Sequence, residues 1–254
     1  MKVRILGCGT SFGVPRVGND WGACDPAEPR NRRRRVSILV SHGDTRILVD
    51  TGPDLREQLL DAKVDRVDAV IWTHDHADHC HGIDDLRQLY FTQKGPVGAF
   101  ARRDTLESLT RRFDYVFAGK GGYPAFAIGS LLPDEIEIGA IRVRVVDQPH
   151  GSITSAGLRF EAGGKSIGYS TDFNELTPGM QKLFQGVELW IVDALRRRPH
   201  PTHPHLAQAL DWVRRTGAHR ALLTHMDNSM DYRSLLGELP SRVEPGYDGL
   251  EVEL

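Results

Sequence analysis

Seven consecutive residues, Thr73-His74-Asp75-His76-Ala77-Asp78-His79, carry three imidazoles and two carboxylates. That mixture of donors suits zinc, iron or manganese better than calcium or magnesium. His74 and His76 are two apart, so in an extended segment they point to one side and can share an ion. Asp78 and His79 come after the chain has turned, where they can reach a second ion beside the first. A water-exposed, His-rich turn is the plain alternative, but His and Asp at this density argue for metal.

The flanking residues define what must position these donors. Asp68-Ala69-Val70-Ile71-Trp72 is an apolar run short enough for a buried strand, with Val70 to Thr73 as its core. Ile83, Leu86, Leu89 and Tyr90 recur at helical spacing, so a helix is expected from His79 to Phe91. The cluster then sits in a turn leaving a strand, where α/β folds place their sites. The same order of strand and donor recurs along the chain. Asp50 ends Arg46-Ile47-Leu48-Val49, the second arm of a hairpin with Val36 to Val40. His150 follows the alternating run Ile141 to Val146, Asp172 follows Lys165 to Ser170, and His225 ends Arg220 to Thr224. Singly, each reads as a turn-capping acid or an incidental histidine. Five strand ends carrying donors, counting His74, read as one site.

The remaining elements are a first strand Val3 to Leu6, a strand Val97 to Ala101 and a buried strand Leu189 to Ala194. An edge strand is expected over Gly246 to Glu253. Helices are expected over Leu55 to Ala62, with Asp54 as N-cap, over Asp104 to Arg112 with a capping residue, and up to Arg215. Gly7-Cys8-Gly9-Thr10-Ser11 fits neither phosphate-binding glycine pattern and reads as a tight turn. Tyr115 to Ile128 contains Gly119, Gly121, Gly122 and Pro124 and reads as a mobile aromatic lid.

Composition narrows the function classes. The 254 residues are 40% hydrophobic with no linker-like stretch, which fits a single domain over 1–254. A net charge of -2 gives no general pull toward nucleic acid or anionic membrane. Cys8, Cys24 and Cys80 are too few for a disulfide framework, and no stretch reaches the length of a membrane span or signal core. These features fit a cytoplasmic protein. Arg30 to Arg35 places five arginines in six positions. Such a run reads as a solvated or ion-paired face, with a phosphate clamp as the functional alternative. Arg34, Arg35 and His205 are the candidate substrate contacts.

The pattern His-x-His-x-Asp-His after an apolar strand resembles the signature of the metallo-β-lactamase superfamily. The ordered set His74, His76, Asp78, His79, His150, Asp172 and His225 fits that family's motifs along nearly the whole chain. The resemblance implies an αβ/βα sandwich: two mixed β-sheets flanked by helices. It also implies two divalent metal ions, zinc or manganese. His74, His76 and His150 would hold one, Asp78, His79 and His225 the other, and Asp172 would bridge them. Asp50 would support the metal loop without binding metal. Within the superfamily the chain most resembles the phosphodiesterase branch that acts on phosphoribosyl cyclic phosphates, related to the tRNA 3′-processing nucleases. Gly7 to Ser11 with Gly13-Val14-Pro15, Pro201-Thr202-His203, and Tyr247-Asp248-Gly249-Leu250-Glu251 carry that likeness. Those relatives often hold a structural zinc on a Cys-x-Cys-x-x-Cys loop. Here Asn19 to Ala23 offer no thiol, only Cys24 remains, and Asn228 stands where a histidine would be. The zinc site is expected to be lost and the loop to be held by packing of Trp21.

The implied reaction is hydrolysis of a small, cyclic phosphodiester. Two ions bridge a water and lower its pKa, and the resulting hydroxide attacks phosphorus in line with the leaving alkoxide. The alkoxide needs a proton, and His203 is the candidate general acid, with His200 and His205 as weaker alternatives. Asp78 is counted with His203 among the catalytic residues. A ribonuclease is disfavoured by the lack of a long basic arm. A thioester or lactam hydrolase on the same ions is the enzymatic rival, and a di-iron redox module ranks last. The expected partner is a small phosphodiester rather than a membrane or nucleic acid, with a homodimer admitted.

Overall fold

The computed structural model describes residues 1–254. Its strands are β1 (Lys2–Gly7), β2 (Ser37–His42), β3 (Thr45–Val49), β4 (Ala69–Trp72), β5 (Val97–Ala101), β6 (Ala127–Leu131), β7 (Glu135–Ile138), β8 (Ile141–His150), β9 (Ile153–Ala162), β10 (Lys165–Ser170), β11 (Leu189–Asp193), β12 (Arg220–Thr224), β13 (Val243–Pro245) and β14 (Glu251–Glu253). One sheet runs β14-β1-β2-β3-β4-β5-β6 and the other β13-β12-β11-β10-β9-β8-β7. Each is mixed, with β3 to β6 parallel in the first and β10 to β13 parallel in the second. The helices are α1 (Leu55–Ala62), α2 (Ala77–Cys80), α3 (Leu86–Gln93), α4 (Arg103–Arg112), α5 (Asp114–Ala118), α6 (Pro178–Phe184), α7 (Leu206–Thr216) and α8 (Tyr232–Glu238). This is the expected sandwich.

Period-two alternation builds the layers. In β3, Ile47 and Val49 join a buried cluster of 45 residues drawn from both sheets, while Leu48 joins a second cluster with α1, α3 and α4. In β4, Ala69 and Ile71 face the first cluster, and Val70 and Trp72 face the second. These strands are buried on both faces, so they read as continuous apolar runs rather than alternating ones.

The segment after β4 departs from the sequence expectation. A single helix from His79 to Phe91 does not form. The chain makes α2, a turn of 3-10 helix over Ile83–Asp85, and then α3. The loop after β3 causes the break: Thr51 N donates to His79 O at 2.7 Å, and Gly82 N donates to Thr51 O at 2.7 Å. A Cβ on Gly82 would lie 2.1 Å from Gly52 O, so only glycine lets the two backbones meet.

Other expectations are also corrected. Asp54 precedes α1 but makes no cap; its carboxylate accepts from Arg35 N at 2.8 Å and pairs with Arg35 Nε at 3.1 Å. No side chain caps α4 either. Tyr115 to Ile128 is not a free loop: α5 occupies its start, Phe126 is buried, and Phe117 packs edge-on against Trp72 at 6.2 Å. The last strand is confined to Glu251–Glu253, because Asp248 turns inward to accept from Cys8 N and Arg34 N. No helix is long and apolar enough to cross a membrane.

Candidate metal centre

The carboxyl ends of β3, β4, β10, β11 and β12, with the end of β8, deliver Asp50, Thr73, Asp172, Asp193, His225 and His150 to one edge of the sandwich. His74, His76, Asp78 and His79 come from the turn and short α2 that follow β4. Three of the strand-end residues leave their strands in the left-handed region: Asp50 at φ 63, Asp172 at φ 53 and His225 at φ 57.

Asp172 is the centre of the arrangement. Its Oδ2 lies 3.8 Å from His74 Nε2, 3.5 Å from His150 Nε2 and 3.7 Å from His203 Nε2. Its Oδ1 lies 3.2 Å from His79 Nε2 and 3.4 Å from His225 Nε2. The two oxygens of one carboxylate thus face two different groups. Donor atoms of His74, His76, His150 and Asp172 all lie within 4.8 Å of one another, as do those of Asp78, His79 and His225.

The hydrogen bonds behind the rings fix which nitrogen faces inward. A carboxylate or carbonyl can only accept, so His79 Nδ1–H donates to Asp50 Oδ2 at 2.8 Å and His150 Nδ1–H to Thr202 O at 3.0 Å. The Thr73 hydroxyl donates to Asp50, so its oxygen accepts from His74 Nδ1–H at 3.1 Å. In its neutral form each of these rings therefore turns a bare Nε2 inward. His74 Nε2, His79 Nε2 and His225 Nε2 are buried without a hydrogen-bond partner, which is costly unless something coordinates them. The donor set fits divalent metal, with the outer hydrogen bonds typical of metal-ligating histidine.

The electrostatics agree. Burial acts against the charge on Asp172 and Asp78, yet His225 and His79 overcome it and hold both carboxyls well below the usual range. Burial pulls His79 and His225 down, but Asp172 and Asp78 outweigh it, raising His79 well above its ordinary value and His225 to about 9. Burial, helped by His79, pushes His74 down instead. These carboxylates call for positive charge, and a cation between them supplies it without protonating the rings.

A buried carboxylate not singled out in the sequence also belongs to the site. Asp193 Oδ2 accepts from His203 Nδ1–H at 2.8 Å and from Asp172 N at 3.0 Å. Its signal was present: Leu189-Trp190-Ile191-Val192-Asp193 repeats the strand-then-Asp pattern of Asp50 and Asp172. The substrate candidates fare differently. Arg34 pairs with Asp61 and Asp248, and Arg35 with Asp54, along a separate cavity of about 610 Å³. His205 is the N-cap residue of α7 and belongs to neither donor group. His200 lies beside His203 with the rings tilted by 57° and 5.1 Å between their centres.

A sequence model described as a beta-lactamase superfamily domain matches residues 45–226. The chain belongs to the beta-lactamase superfamily. It is thereby a member of a family of hydrolases with this metallo-β-lactamase fold. The crystal structure of a diphosphatase from the PhnP family superposes with a TM-score of 0.91 at 31% identity, covering 100% of this chain and 97% of that one. Human short-form tRNase Z shares the fold with a TM-score of 0.72 at 17% identity, covering 100% and 99%. An octanoyltransferase of Porphyromonas gingivalis is 31% identical over 257 residues, 99% of this chain, and the chain spans only 51% of that protein's length.

Proposed function

We propose that the chain, acting as one domain over 1–254, is a dinuclear-metal phosphodiesterase for a small, cyclic phosphodiester. The observation that carries this reading is the split of Asp172, one oxygen toward His74 and His150, the other toward His79 and His225. His74, His76 and His150 would hold one ion, Asp78, His79 and His225 the second, and Asp172 would bridge them. Zinc and manganese both suit these donors. When bound, such ions neutralise phosphoryl charge and lower the pKa of water. The chain's own residues supply the rest. Asp50 and Thr73 hold the rings of His79 and His74 in the required tautomer. Asp193 holds His203 by Nδ1 and so aims Nε2 toward Asp172. An imidazolium stabilised by Asp193 can hand its Nε2 proton to the leaving oxygen. The likeness to a diphosphatase supports hydrolysis at phosphorus.

The second reading is hydrolysis of a thioester or lactam on the same ions, in which His203 has no alkoxide to protonate; the Porphyromonas gingivalis relative, named an octanoyltransferase, makes an octanoyl thioester a fitting probe. The test uses apo protein reloaded with zinc or manganese and given bis(p-nitrophenyl) phosphate, an octanoyl thioester and nitrocefin. Preferential hydrolysis of the phosphodiester is expected. Turnover of the thioester alone overturns the reading. Ribose 1,2-cyclic phosphate and 2′,3′-cyclic nucleotides then define the substrate.

A further inference from the structure

The imidazoles of the centre are not all supported alike. The Nδ1 atoms of His74, His79, His150 and His203 are held by Thr73, Asp50, the Thr202 carbonyl and Asp193. His76 is exposed, no hydrogen bond holds its ring, and that ring packs against the imidazoles of His74 and His150. Its place must come from the backbone that carries it. That backbone is tied to α4. Ser108 Oγ donates to Asp75 Oδ2 at 2.5 Å. Arg112 Nη1 donates to the Asp75 carbonyl at 2.6 Å and reaches Oδ2 at 3.3 Å. The other arm of the same guanidinium, Nη2, lies 2.7 Å from His81 Nε2. One side chain thus spans both ends of the segment that carries His76, Asp78 and His79. The Cys80 thiol adds a fourth contact, to the Asp75 carbonyl at 3.3 Å.

We propose that Ser108 and Arg112 are positioning residues for the ion held by His74, His76 and His150. By fixing Asp75 they fix the spacing of the two imidazoles that flank it. The proposal rests on the dinuclear reading above. An exposed ion pair contributes little by itself, but charge-assisted bonds converging on one residue set geometry as well as energy. The second donor group has its own support: Asp50 holds the His79 ring, and His225, directly after β12, stacks its ring between those of His79 and His203. Loosening Asp75 should therefore weaken the first ion more than the second, whose Asp78 and His79 ride further along the same segment.

Calorimetric titration of apo protein with Zn²⁺, and separately with Mn²⁺, tests this in the native chain and in Ser108→Ala, Arg112→Gln and Arg112→Lys. Thermal unfolding of each apo protein is measured alongside. Two binding steps are expected in the native chain. In Ser108→Ala and Arg112→Gln one step weakens by about 10- to 100-fold, the usual scale for residues behind metal ligands, and the other weakens markedly less. Arg112→Lys recovers part of the loss, because an ammonium reaches the Asp75 carbonyl but cannot span to His81. Equal weakening of both steps overturns the proposal. So does lower apo stability with both affinities unchanged, which marks a purely structural tie. Should Arg112→Gln not fold, Ser108→Ala decides. A single step in the native chain would sink the dinuclear reading, and the positioning role would still stand or fall on whether that step weakens in the variants.

Discussion

Replacing His203 by alanine separates proton donation from substrate positioning. Asp193 is fully buried and holds His203 Nδ1 at 2.8 Å, a bond between a carboxylate and a ring that is charged whenever it acts as acid. General acids contribute about 100- to 10,000-fold, or roughly 3–5 kcal/mol of barrier. His203→Ala should lose that factor with an alkyl leaving group and little with p-nitrophenolate, which leaves unaided. Metal content should not change, because the sets His74, His76, His150 and Asp78, His79, His225 are complete without His203, although His203 also lies within 4.8 Å of the donor atoms of Asp172, Asp193 and His225. Asp193→Asn removes the charge but not the shape. A charge-assisted hydrogen bond is worth about 1.5–3 kcal/mol, so roughly 10- to 100-fold should be lost on the alkyl substrate. If Asp193 acts only through His203, the double variant should be no slower than His203→Ala alone. Kinetics on a pair of phosphodiesters differing only in leaving group, in all four proteins, are the assay. Equal losses on both leaving groups, or additive losses in the double variant, refute the reasoning.

Three further outcomes are expected. Arg33 is 2% exposed and donates to the Met230 carbonyl at 2.6 Å and the Asp227 carbonyl at 3.3 Å, so Arg33→Met should leave two buried acceptors bare and cost about 2–5 kcal/mol in urea unfolding. A cost below about 1 kcal/mol would show that the loop is held elsewhere. Burial raises the Asp248 carboxyl to about 6 against the pull of Arg34, above its unfolded value of about 3.9. The folded state therefore binds this proton more tightly, stability falls as pH rises from about 4 to 6, and Asp248→Asn should flatten that slope in unfolding measured across pH. Elemental analysis of loaded protein should approach two transition metals per chain, and Cys24→Ser should leave the count unchanged, since the Cys24 thiol lies 3.9 Å from the Arg33 guanidinium.

The individual strands were legible as short apolar or alternating runs, which need no knowledge of tertiary neighbours, whereas their arrangement in two layers came from the family resemblance. Helix α1 and strand β5 have the bounds their residues predicted. What failed depended on distant segments. The pattern of Ile83, Leu86 and Leu89 is helical, but nothing local shows that Thr51 and Gly52 will press against Gly82 and split the helix. Asp54 reads as a cap until Arg35, nineteen residues earlier, takes its carboxylate. Arginine runs are ordinarily solvated, yet Arg33 is buried, pinned by carbonyls from the loop before α8. That loop also explains how Asn19 to Cys24 are held: Ala23 N donates to the Asn228 carbonyl at 2.8 Å, and Asn228 Nδ2 donates to Asp20 at 3.1 Å. Trp21, the expected anchor, bonds only within its own loop, to Asn19, and lies under the Arg32 guanidinium.

The convergence of the candidate donors was legible because its rule is positional: a donor immediately follows an apolar strand. The backbone supplies the reason. A strand sends successive side chains to opposite faces, so its next residue would ordinarily continue into one sheet's inner or outer layer. At Asp50, Asp172 and His225 the chain instead enters the left-handed region, at φ values of 53 to 63, and breaks that alternation. Asparagine and aspartate tolerate this conformation better than most residues, and histidine is enriched there too. The types able to make the turn are largely those able to bind or support a metal. Strain of this kind costs of order 1–3 kcal/mol per residue and persists only where the surroundings enforce it. Here the enforcement is visible: Asp50 accepts from Thr73 N and His79 Nδ1, and Asp172 N donates to Asp193. Asp193 ends β11 outside that list of left-handed residues, and its carboxylate accepts the hydrogen bonds of two neighbours instead. Asp50 supports its neighbours from the left-handed region and Asp193 does so from outside it, so the strand-end pattern marks the place of the site while the hydrogen-bond partners set each residue's role.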